Sequence, residues 1–125
     1  MAIAQNIIID GREVPFRASA AIPRIYRTRF RRDIFRDLDR LMAAIQDKDP
    51  ENSALDIGSL EVFENIAYIM AKYADPNVPN TPEAWLDGFN TFSIYEVLPQ
   101  IIALWGINVE TQVESKKKLD RLTAR

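Results

Sequence analysis

At 125 residues, with 47% apolar and 27% charged side chains, the chain has the length and composition of one globular domain and lies far from the apolar-poor disordered class. It has no cysteine and no histidine, which excludes disulfides, thiolate metal sites, thiol nucleophiles, imidazole ligands and the commonest general base. The net charge of −2 is unevenly spread: residues 1–40 carry +4, residues 41–110 carry −9 and the last fifteen carry +3. Such polarity suits head-to-tail packing of copies or docking on a charged partner, unless the opposite charges meet within one fold.

Residues 3 to 9 are rich in β-branched side chains, Asp10-Gly11 is a dipeptide favoured in type I′ turns, and Val14 and Phe16 alternate with polar neighbours. This predicts a hairpin over about residues 2–18, with Pro15 placing its second strand at an edge. Two strands alone are marginal in water, so the hairpin must lean on helices or join a sheet in another copy. Ser19 is the expected cap of a helix with Pro23 in its first turn and Ile22, Ile25, Tyr26 and Phe30 on its apolar side. The pattern slips near Arg31, predicting a bend, and resumes with Ile34, Phe35, Leu38, Leu41, Met42 and Ile45. Asp33 with Arg36, and Asp37 with Arg40, read as weak ion pairs on the outer face.

Residues 46–56 read as a loop, after which Asp56 or Ser59 caps a third helix. Its spacing turns Leu60, Phe63, Ile66, Ala67, Met70, Tyr73 and Ala74 inward and Glu61, Glu64 and Lys72 outward. Asp75-Pro76 ends it, and a proline-rich connection leads to Thr81, the expected cap of a short helix bearing Trp85, Leu86 and Phe89. Ser93 with Glu96 forms a capping box for the clearest repeat in the chain, Ile94, Val97, Leu98, Ile101, Ile102 and Trp105, with a kink expected at Pro99. The stretch from Pro82 to Asn108 is thus the expected organising element. Residues 111–125 should form a solvated, partly helical tail. The fold expected is mainly α (α+β): a single domain over residues 1–110, with about five helices and an N-terminal hairpin.

Several patterns carry weak chemical signals. Asp47, Asp49 and Glu51 alternate like an EF-hand start, but Asn52 stands where that loop needs glycine and Gly58 where it needs glutamate. Gly58-Ser59-Leu60 is faintly similar to the attachment site of acyl carrier proteins but lacks the aspartate before the serine, so Ser59 reads better as a helix-start residue. Arg24, Arg27, Arg29, Arg31 and Arg32, interleaved with Tyr26 and Phe30, form the one basic cluster with aromatics. Asp33, Asp37 and Asp39 follow directly and would repel phosphates, so an ion-paired face or a protein contact is preferred over nucleic acid. No convergent acid–base set can be named, and neither an enzyme nor a cofactor is expected. No segment reaches the roughly eighteen apolar residues of a membrane span, and the N-terminus has no secretory pattern, so an unprocessed cytoplasmic protein is expected.

Two segments, YRTRFRRDIFRDL from Tyr26 to Leu38 and WLDGF with TFSIYEVLPQIIALW from Trp85 to Trp105, followed by Asn108, resemble the tail assembly chaperones of long-tailed bacteriophages and prophages. The likeness covers roughly residues 1–118 in the same order of elements. It departs where a glycine is expected between Phe30 and the triplet Arg32-Asp33-Ile34, a place held here by Arg31. The resemblance implies a non-enzymatic protein, absent from the finished particle, that coats the tape measure protein and helps recruit tail tube subunits, mainly through a longer frameshifted product. Lys116, Lys117 and Lys118 fit a slippery A-rich coding run. Arg24, Arg27, Arg31, Trp85, Phe89 and Phe92 are the candidate protein-contact residues, and a homo-oligomer, as a ring or helical array, is the expected assembly. The alternative is a small helical interaction or regulatory module, with nucleic acid binding through the Arg24 to Arg32 helix as one form of it.

Overall fold

The computed structural model describes residues 3–46 and 57–106. Strands β1 (Ile3–Ile9) and β2 (Arg12–Ala18) precede helices α1 (Ala21–Phe30), α2 (Ile34–Gln46), α3 (Ile57–Ala74) and α4 (Pro82–Leu86). A fifth helix, α5, is described over 94–106. This is the mainly helical α+β architecture read from the sequence. The expected tail and the lysines at 116 to 118 lie outside the described residues, as do the carboxylates at 47, 49 and 51.

Asp10 and Gly11 take φ of 54° and 73°, the pair of left-handed residues that a type I′ turn requires. The turn sets the register, with Ile9 opposite Arg12, Ile7 opposite Val14 and Gln5 opposite Phe16. In a two-residue hairpin the closing pair exchanges hydrogen bonds and every second pair repeats it, so Asn6 and Pro15 fall between bonded pairs. The N–H that Pro15 lacks would therefore point away from β1, and the proline blunts the outer edge of β2 without costing a ladder bond. The outer edge of β1 is met by a side chain. Ile8 N–H donates to Gln100 Oε1 at 3.2 Å and Gln100 Nε2 donates to the Ile8 carbonyl at 3.4 Å, as a residue of a third strand would. The inner face of the hairpin, with Ile7, Ile9, Phe16 and Ala18 buried, leans on α3 through β2. Of the two ways to stabilise the hairpin, the molecule uses the helix.

Ser19 does not cap α1. The N-cap is Ala20, with no side-chain bond, while the Ser19 carbonyl accepts from Ile22 N–H at 3.1 Å. Three residues past Ala20, Pro23 removes one of the donors that a cap would otherwise have to satisfy. The expected bend is present. Arg31 ends α1 in the left-handed region at φ 59°, ψ 38°, its N–H bonded to the Arg27 carbonyl. Asp33 then opens α2, its Oδ1 accepting from Phe35 N–H at 2.9 Å and Arg36 N–H at 3.3 Å.

The largest correction concerns the organising element, which is α3 and not the stretch from Pro82. Residues 66–71 of α3 are all buried, so this helix has no solvent face for more than a turn and is surrounded by the rest of the fold. It packs against β2, α1, α2 and α4. It meets α5 where Trp105 Nε1 donates to Met70 Sδ at 3.2 Å, and Phe63 stacks on Phe92, just before α5, at 5.0 Å. At its two ends the spacing misleads: Leu60 and Tyr73, expected inward, are 39% and 48% exposed. Lys72, expected outward, folds over the proline-rich connection and donates to the carbonyls of Pro76 and Val78 and to Asn80 Oδ1. The Tyr68 hydroxyl donates to the Pro79 carbonyl at 2.6 Å, so the loop is bound along its length.

Thr81 caps α4 as expected, its Oγ1 accepting from Ala84 N–H at 3.2 Å, with Pro82 in the first position. In α5 the buried side is Ile94, Val97, Leu98, Ile101, Leu104 and Trp105, with Ile102 half-buried. The helix continues through Pro99. Tyr95 and Pro99 are both exposed, so water can meet the Tyr95 carbonyl that a proline leaves without its helical donor.

Candidate interaction surfaces

Four places bring polar or aromatic residues together. The first is internal. Asp37, expected to pair with Arg40 on the outer face, is instead only 3% exposed and is held from two sides. Arg32 donates from Nε to Oδ2 and from Nη2 to Oδ1, both at 2.8 Å, and the Tyr26 hydroxyl donates to Oδ2 at 2.7 Å. The bend at Arg31 is what lets Arg32 reach back to a carboxylate five residues on, in a two-toothed geometry that suits guanidinium and carboxylate. Burial works to raise the Asp37 carboxyl, but the hydrogen bonds from Arg32 and Tyr26 and the charges of Arg32 and Arg40 outweigh it and hold the group below the usual carboxylate range. Burial, then the bond to Asp37, pushes the Tyr26 phenol well above its ordinary value. A cleft of about 270 Å³ opens beside this network, with Arg40, Leu41, Gly58, Ser59 and Val62 on its other walls.

The second place is the arginine face. Of the five arginines between 24 and 32, Arg32 is committed to Asp37, the one ion pair among the described residues. Arg29 lies over the rings of Tyr68 and Phe30, at 5.3 and 5.5 Å. Arg24, Arg27 and Arg31 remain exposed; Arg24 and Arg27, three residues apart, share one side of α1, and Arg31 stands at its left-handed C-cap. A nucleic-acid surface read from five arginines is thus reduced to three.

The third is the aromatic segment. Trp85 is buried at 6% exposure, with centroids of Phe16, Tyr68, Phe89 and Phe92 at 6.3, 6.0, 5.3 and 5.5 Å. As a side chain enclosed by four rings it belongs to the core, which removes it from the candidate contact residues. Phe89 and Phe92 are half-buried against the same cluster. The hairpin tip closes over them. Arg12 Nη2 donates to the Gly88 carbonyl at 2.6 Å with its guanidinium 4.5 Å above the Phe89 ring, and the Asp10 carboxylate accepts from Asn90 N–H and Thr91 Oγ1 at 3.0 and 3.3 Å.

The fourth is a groove of about 420 Å³ between the N-terminal half of α3 and α4. Ile57, Leu60, Pro82 and Leu86 are its apolar walls, and Glu61, Glu64 and Glu83 its charged ones. Burial, aided by the neighbouring Glu61, raises the Glu64 carboxyl. Ile57 is 85% and Leu60 39% exposed, which leaves apolar surface open along this side of α3.

Sequence reasoning missed the Asp37 network, although a signal was there. Asp37 falls between Ile34, Leu38 and Leu41 at the i+3 place of the buried stripe, where an aspartate needs a partner. The Gln100 and Asp10 contacts join residues eighty or more apart and leave no local trace. Among the described residues there is no group of three or more carboxylates placed to hold a metal ion, and no helix long and apolar enough to cross a membrane. Comparison of the chain with protein-family models, with curated proteins and with solved structures finds no match.

Proposed function

We propose that the chain is a phage tail assembly chaperone that acts in the host cytoplasm, binds the tape measure protein, keeps it from aggregating and helps bring tail tube subunits to it. The observation that carries this reading is at Arg31. The family that the sequence resembles is expected to hold a glycine there, and the backbone of this chain has φ 59° at that residue, the region that glycine occupies without strain. The one visible departure in sequence therefore keeps the backbone turn that the pattern calls for. The order of elements, hairpin, arginine-rich helix, acidic helix and tryptophan segment, supports the same reading.

The chemistry of the role suits what the surface offers. A long amphipathic helix is held by apolar grooves with charged rims, and a chaperone that coats it needs copies that line up along it. On this reading Lys116, Lys117 and Lys118 mark a coding run at which a longer product arises, the form that would contact the tube protein. Co-expression with the tape measure protein of the same genome tests the function. The chaperone should move that protein from the pellet to the supernatant and co-purify with it, and a tape measure protein equally insoluble with and without this chain would overturn the proposal.

A further inference from the structure

We propose that the exposed arginines of α1 and its C-cap, Arg24 and Arg27 on one side of the helix and Arg31 at its end, dock into the acidic groove between α3 and α4 of a second copy, so that copies stack head to tail. The groove is lined by three glutamates and no cation, over apolar walls that include the 85% exposed Ile57 and the 39% exposed Leu60. Burial raises Glu64, and Glu61 adds repulsion to it, so a cation brought into the groove would relieve both. The arginine face has the complementary shortage, since the one ion pair among the described residues, Arg32 with Asp37, uses none of its members. Arginine also suits both parts of the groove, because its methylene stem lies on apolar surface while its guanidinium binds carboxylates in pairs.

The two surfaces are different, so filling one leaves the other open. Contacts of this kind propagate into rings or helical arrays instead of stopping at a two-fold dimer. Pairing through the hairpin is disfavoured, because Pro15 blunts one strand edge and Gln100 occupies Ile8 on the other. The inference follows from the charge pattern and stands apart from the tape measure reading: self-association without rescue of a tape measure protein would leave it intact, and rescue by a chain that stays monomeric would sink it alone.

The test uses the full chain and light scattering with sedimentation over a range of concentrations, from about 50 to about 500 mM salt. Wild type should self-associate at low salt and dissociate as salt screens the contact. The variant Arg24→Glu/Arg27→Glu and the variant Glu61→Arg/Glu83→Arg change exposed side chains only, and circular dichroism and melting should confirm that both fold. Each alone should associate at least about tenfold more weakly. Mixed in equal amounts they should associate again into alternating assemblies larger than a dimer, because the groove of the first still takes the arginine face of the second and the two reversed surfaces are complementary to each other. A wild type that is monomeric at low salt, or a mixture that stays monomeric, would overturn the proposal. So would association that survives both variants but is lost on replacing Lys116, Lys117 and Lys118 by alanine, which would make those lysines the occupant.

Discussion

Two carboxylate regions on either side of α3 are treated in opposite ways. On the side of the cleft at Gly58 and Val62, Asp37 is taken out of water and given two partners, so that its charge is balanced inside the molecule. On the side facing α4, Glu61, Glu64 and Glu83 share a groove with apolar neighbours and no cation. A buried carboxylate without partners would be expensive, so Asp37 must be satisfied for the chain to fold at all. Carboxylates at a half-open groove are tolerated by solvent, and that tolerance leaves them available to something else. The difference separates charge that serves the fold from charge that faces outward.

The scale for stability changes comes from the apolar interior on which both regions rest. Trp105→Ala, at a side chain 3% exposed and in contact with Met70 and Phe35, should lower unfolding free energy by about 3 to 5 kcal/mol in chemical denaturation; a change under about 1 kcal/mol would mean that the indole lies on a binding surface. Next is Asp37→Ala, which strands the Tyr26 hydroxyl and the guanidinium. Because the Arg32 side chain is 44% exposed and water can replace part of the loss, about 2 to 3 kcal/mol is expected, below the usual figure for breaking a fully buried pair.

Acid should expose the same network. The Asp37 carboxyl is depressed in the folded state, so its contribution is complete above the unfolded carboxylate value near about 4 and is lost as pH falls through the lower folded value. Melting temperature followed from neutral pH downward should show this loss in wild type and a flatter acid limb in Asp37→Asn. The smallest effect is expected in the groove and has the opposite sign. The Glu64 carboxyl is raised on folding, so its charged form disfavours the fold as pH rises through its unfolded value and then its folded one. Glu64→Gln should therefore gain a few tenths of a kcal/mol near neutral pH and nothing in acid, where wild type is already protonated. A loss there would show that the glutamate is paired within the molecule and would erase the contrast with Asp37.

Much of the fold was legible because its signals are local. The Asp10-Gly11 turn, the proline and threonine at the start of α4, the Asp75-Pro76 stop and the apolar spacing of α5 each depend on residues within a few positions of one another. The surfaces were less legible. The arginine run read as one basic cluster, but partners divided it: Asp37 took Arg32 and Tyr68 took Arg29, leaving Arg24, Arg27 and Arg31 uncommitted among the five. Trp85 was a candidate contact although large rings at helical spacing are more often core, and its four ring neighbours show that it is core.

By itself, then, the sequence determined the type of each described element, the hairpin register through its two-residue turn, and the absence of thiol and imidazole chemistry. The tertiary structure decided which helix is central. Helical spacing shows that α3 has an apolar side, but its burial all round from 66 to 71 depends on β2, α1, α2, α4 and α5 closing on it from different parts of the chain. It also decided which charges are spent internally, since desolvation and pairing depend on what lies across a packed interface and not on what lies nearby in the chain.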